Sequence, residues 1–188
     1  RNKLQNLYII SQDLKGAEAR LAASVKNNMM TQAEADNILQ SAENFEKHGN
    51  KVPGYFTKSP DDLIEYVNLI EQRTQLEEEQ AGFDKSLKDA NADAIAAVET
   101  KIAEIKEKVA AQAIDTEIKN VRKAGVKVKV YESVQEMQDA KGANGNSLFD
   151  NTDLQSDGLF IDEDGSIIVN KEVAAKKGAV GVASHELL

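Results

Sequence analysis

The chain has 188 residues, 41% of them hydrophobic and 29% charged, with a formal net charge of −9 and no cysteine. That length can bury a core of ordinary size, and the mix of apolar and charged residues excludes a wholly disordered chain. The lack of Cys excludes a disulfide framework, a thiolate zinc site and a cysteine nucleophile, and the acidic balance excludes a phosphate-binding surface spread over the whole molecule.

Aromatic residues make up only 5% and Trp is absent, which points to a helical, thinly cored molecule. No apolar run approaches the roughly 18 residues of a membrane span, and Arg1-Asn2-Lys3-Leu4 does not read as a signal peptide. Charge is uneven: residues 1–58 carry 8 basic and 6 acidic side chains, residues 59–124 carry 9 and 15, and residues 125–188 carry 6 and 11.

Leu4, Leu7, Ile10, Leu14, Ala17, Leu21 and Val25 recur at spacings of three and four, which predicts one helix over about 3–27. Thr31-Gln-Ala-Glu34 is a capping box, and Ala35, Ile38, Leu39, Ala42 and Phe45 continue as the apolar stripe of a second helix ending near Gly49. His48 falls at that helix end, where a cation suits the dipole, and no functional role is assigned to it. Pro53-Gly54 marks a turn. Ser59-Pro60-Asp61-Asp62 then supplies an N-cap, a proline for the first turn and two carboxylates at the positive end of the helix dipole. Leu63, Ile64, Val67, Ile70 and Leu76 form the side of that helix which is buried.

From about Asn91 to Ala124, Ile95, Val98, Ile102, Ile105 and Val109 repeat in three-four alternation between Glu and Lys. The pattern predicts a long, coiled-coil-like exposed helix whose narrow seam can join its own neighbours or another chain. Gly125 suits the helix C′ position, and Val126-Lys-Val-Lys-Val130-Tyr131 switches to period two, the start of a strand. Ser133-Val-Gln-Glu136 opens a short helix that runs out in the Gly142–Asn146 loop. Gly158-Leu-Phe-Ile161 and Ser166-Ile-Ile-Val169 read as a hairpin joined by Asp162-Glu-Asp-Gly165. A last amphipathic stretch begins near Lys171, loosens at Gly178 and resumes into His185 and Glu186.

The expected architecture is therefore mainly α with a small α+β C-terminal part. Three regions are expected: a helical hairpin region over 1–58, long helices over 59–124, and an incomplete α+β subdomain over 126–188.

Chemistry concentrates at the C-terminal end. His185-Glu186-Leu187-Leu188 matches the first four positions of His-Glu-x-x-His. In that motif histidines four apart on a helix share a zinc and the Glu is general base toward the metal-bound water. The hairpin followed by Lys171-Glu-Val-Ala-Ala175 and Gly178-Ala-Val-Gly-Val-Ala-Ser-His-Glu-Leu-Leu188 resembles the zincin-like metallopeptidase domains inside large multi-domain, polyvalent proteins of tailed bacteriophages and mobile elements. The resemblance covers about residues 126–188. It implies that His185 is a zinc ligand, that Glu186 is the general base, and that Ser166–Asn170 is the strand edge along which substrate lies.

Catalytic zinc needs three protein ligands, and the second histidine would be residue 189. The chain starts with Arg instead of Met and stops one residue short of that motif, so it is expected to be a fragment, inactive by itself, with zinc bound only in a longer parent. The resemblance further implies a virion-interior cargo protein whose partners are portal or tail-associated virion proteins or copies of itself. The alternatives are a stand-alone helical adaptor and a peptidase that is active once the downstream ligands are present.

Two other motifs lead away from chemistry. Asp162-Glu163-Asp164-Gly165 fails as a calcium loop, because alignment on Gly165 puts Phe160 first and Lys171 twelfth. Glu77-Glu78-Glu79 reads as a solvated helix face. Lys119, Arg122, Lys123, Lys127 and Lys129 form a modest basic cluster without a strong nucleic-acid signal.

Overall fold

A computed structural model describes residues 3–82, 84–161 and 164–185. The elements are α1 (Lys3–Gln12), α2 (Leu14–Lys26), α3 (Gln32–His48), α4 (Pro60–Gln80), α5 (Lys85–Lys123), β1 (Val128–Tyr131), α6 (Val134–Asp139), β2 (Gly158–Ile161), β3 (Ser166–Asn170), α7 (Lys171–Lys177) and α8 (Val182–His185). The protein is mainly helical with a small α+β part at its C-terminal end, as its sequence pattern implies. The chain divides into two compact units, residues 1–102 and 103–188. No helix of the described residues is long and apolar enough to cross a membrane.

In the first unit α3 packs against α1, α2 and α4. Its start is the expected capping box: Thr31 Oγ1 accepts from the Glu34 amide at 3.2 Å, and Glu34 accepts from the Thr31 amide at 2.7 Å. The helix expected over 3–27 is broken at Asp13. There φ is −144°, and the carboxylate turns back to accept from the Gly16 amide at 3.0 Å, starting a new helix. Gly16 makes room for this, since a Cβ there would lie 2.0 Å from Asp13 Oδ2. Residues 54–58 form a 3-10 turn that buries Phe56 beside Tyr66, ring centroids 4.8 Å apart.

A polar seam joins α3 to α4. Asn44 donates to Asn68 at 2.8 Å, and His48 meets Glu71 at 2.6 Å with both side chains buried. His48, expected only as a cation suited to the helix end, is thus a buried hydrogen-bond partner of Glu71. Lys47 and Gln75 also donate to the Glu71 carboxylate, at 2.9 and 3.1 Å. The hydrogen bond from His48, then that from Lys47, holds the Glu71 carboxyl at about 2 despite the opposing effect of burial.

In the second unit the seam of α5 is covered and wider than expected: Ile105, Val109, Ala110, Ile114, Ile118 and Val121 are all buried. Gly125, at φ +91°, ends the helix, and the Arg122 guanidinium donates to the Val128 carbonyl across the turn. The sheet order is β1-β3-β2, with β1 parallel and β2 antiparallel to β3. Ile168 packs with Tyr131 and Met137 on one face, with Phe149, Leu154 and Leu159 around them. Alternation sends Ile167 and Val169, both buried, to the opposite face.

Candidate functional site

The site suggested by the sequence begins where β3 ends. Asn170 is almost fully buried, and its side chain accepts from the Val173 amide, capping α7, while donating to the Leu154 carbonyl at 3.1 Å. Lys171 Nζ lies 2.9 Å from Asp115 and 3.0 Å from Glu132. Burial opposes the charge on Lys171, but the hydrogen bonds to Asp115 and Glu132 outweigh it and raise its pKa. Glu172 accepts from the Val134 amide at 2.9 Å and from Lys176 at 2.6 Å. Three successive residues thereby tie the β3–α7 junction to the chain around it.

Helix α7 ends at Gly178, whose φ of +69° is the left-handed conformation of a C-terminal cap, and the Ala179 amide reaches back to the Ala174 carbonyl at 2.8 Å. One turn later α8 buries Val182 and Ala183 and leaves Ser184 and His185 exposed. The imidazole lies over Gly181, where a Cβ would stand 3.5 Å from its Cδ2. On the other side of α8, Glu117 Oε1 accepts from the Ser184 amide at 2.9 Å and from its hydroxyl at 2.6 Å.

The structure thus puts His185 exposed on α8, next to the Ser184 that Glu117 holds. Glu186 lies outside the described residues. No family model matches the chain, and no curated protein or solved structure matches it. Among the described residues there is no group of three His, Cys, Asp or Glu side chains able to hold a metal, and a catalytic zinc at His185 would need further protein ligands.

One expectation is overturned. Ser166–Asn170 is the central strand, hydrogen-bonded to β1 on one side and β2 on the other, so it offers no free edge to a substrate. The free edges of the three-stranded sheet belong to β1 and β2, and Phe160 on β2 is exposed. Of the rejected calcium loop, Asp162 and Glu163 lie outside the described residues; Asp164 accepts from the Ser166 amide at 3.0 Å beside Gly165 at φ +65°. The basic cluster is partly absorbed by structure, with Arg122 on a backbone carbonyl and Lys129 over the Tyr131 ring at 4.8 Å.

Sequence reasoning missed Glu117. Its signal was present, because Glu117 falls on the flank of the buried Ile114, Ile118 and Val121 stripe, where a carboxylate needs a partner. The first unit adds an open apolar cleft of about 630 Å³ lined by Leu4, Tyr8, Ile9, Phe45, Val52 and Leu63. Tyr8 and Ile9 are exposed there.

Proposed function

We propose that this chain is part of a large bacteriophage virion protein, a packaged cargo protein in the virion interior. In it the helical region is a structural or docking element, and the C-terminal part is the front half of a zincin-like metallopeptidase domain. The supporting observation is the order of hairpin, α7, left-handed Gly178 and α8, which carries His185 exposed on an anchored helix. The apolar cleft of the first unit, with Tyr8 and Ile9 exposed, supports the docking role toward portal or tail-associated proteins or a second copy.

In this reading His185 is a zinc ligand and Glu186 the general base. Zinc bound in the longer parent would supply an activated water and polarise a peptide carbonyl. The chain of 188 residues by itself is inactive. The residue following Leu188 in the gene tests the assignment: His fits it, and Leu or Lys refutes it. In the parent polypeptide, Glu186→Gln is expected to retain zinc and lose hydrolysis; equal hydrolysis by both forms refutes the role given to Glu186.

A further inference from the structure

We propose that Glu117 is a positioning residue for His185: its carboxylate, reaching from α5, fixes the turn of α8 on which the imidazole stands. The inference rests on the zincin-like reading for its metal part and on geometry for the rest. The first amides of α8 find only turn acceptors along the chain, Val182 donating to the Ala179 carbonyl at 3.3 Å and Ser184 to the Gly181 carbonyl at 3.2 Å. Gly181 precedes α8 where Ser, Thr, Asp or Asn would ordinarily cap. The imidazole of His185 occupies the space over Gly181, so a capping side chain there would crowd it.

A second, shorter acceptor comes from 67 residues away in sequence. Glu117 Oε1 takes both the amide and the hydroxyl of Ser184, the residue next to His185. Its Oε2 is buried with no hydrogen-bond partner among the described residues, and its Oε1 bonds go to Ser184. With Val182 and Ala183 buried on the apolar side, α8 is held from two directions just before its histidine.

The test compares Glu117→Ala, Glu117→Gln and Ser184→Ala, each checked for fold by circular dichroism. In the 188-residue chain, hydrogen exchange of the Ser184 amide is expected to accelerate at least about tenfold in Glu117→Ala and to stay near wild type in Glu117→Gln, which keeps an acceptor oxygen. In the parent polypeptide titrated with cobalt(II), Glu117→Ala is expected to bind about 10- to 100-fold more weakly with altered d–d bands, and Glu117→Gln to restore both. Ser184→Ala, which keeps the amide bond, should fall between them.

Unchanged Ser184 exchange in Glu117→Ala overturns the proposal. So does faster exchange with unchanged cobalt binding, which would leave the zinc reading standing. If the wild-type parent takes up no cobalt, the zinc reading falls and the metal part of this proposal falls with it, while the exchange data still decide whether Glu117 sets Ser184.

Discussion

In residues 1–102 most of the buried polar groups line the facing sides of two packed helices, Ser41, Asn44 and His48 on α3 against Glu71 and the half-buried Asn68 on α4, while Ser11 and Asn91 are buried elsewhere. In residues 103–188 the one buried polar side chain among the described residues, Asn170, stands instead at a junction of elements, the β3–α7 turn. The difference is one of what each arrangement specifies. A polar seam between helices fixes their register, because sliding either helix by a turn would leave buried donors and acceptors unpaired. Polar ties at junctions fix where an element begins, and leave the sheet interior to Ile167, Ile168 and Val169.

The sharpest break in this contrast is Glu71→Ala. Removing that carboxylate leaves His48 buried without its partner and frees Lys47 and Gln75, so a loss of about 3–5 kcal/mol is expected in urea denaturation of the first unit. Protons should act in the same direction. Glu71 titrates at about 2 in the folded chain against an ordinary 4.5, so its contribution is complete above pH 4.5 and lost as pH falls toward 2. That contribution is on the order of 3 kcal/mol. Hydrogen exchange of α3 and α4 amides, followed from pH 6 to pH 2.5, measures it. Lys171 has the opposite sign: its raised pKa stabilises the folded chain fully below the ordinary 10.5, and the effect is lost as pH climbs through the higher folded value.

Next in size is Met137→Ala. Met137 is fully buried beside Tyr131 and Ile168, and truncation opens a cavity expected to cost about 2–5 kcal/mol. Near-ultraviolet dichroism of Tyr131 reads the change. Asn170→Ala should follow, at about 1–3 kcal/mol, since it removes the cap of α7 and strands the Leu154 carbonyl. A loss below about 0.5 kcal/mol would show that the junction is held by Lys171 and Glu172 alone.

Helix starts were the most legible features, because capping boxes and a proline at the first turn are local chemistry. Thr31, Ser59 and Ser133 each stand where a helix begins. The left-handed Gly125 was legible for the same reason, whereas Gly178 was read only as a loosening of the last stretch and proves to be a left-handed cap. Strand order was not: Ser166–Asn170 is central because β1 returns to pair with it in parallel, and period-two patterning carries no information about which neighbours a strand will have. At the candidate site, the motif singled out His185, which stands exposed on α8. The partners of Glu117 and Lys171 lie 67 and 56 residues away, so a local pattern can mark Glu117 as a carboxylate in want of a partner without saying which residue that partner is.

The smallest expected effect separates local from tertiary control of the break between α1 and α2. Asp13→Ala removes the acceptor for the Gly16 amide and the partner of Arg20, and should cost about 1 kcal/mol. Adding Gly16→Ala replaces a poor helix former with the best one, a gain of about 1 kcal/mol that offsets the lost cap. If Asp13 alone causes the break, the double variant becomes continuous from Lys3 to Lys26, with wild-type stability and stronger dichroism at 222 nm. If packing of α1 and α2 on α3 dictates the break, helix content stays constant and the double variant remains destabilised, because the added propensity is spent against an angle that the buried Leu7 and Ala17 impose.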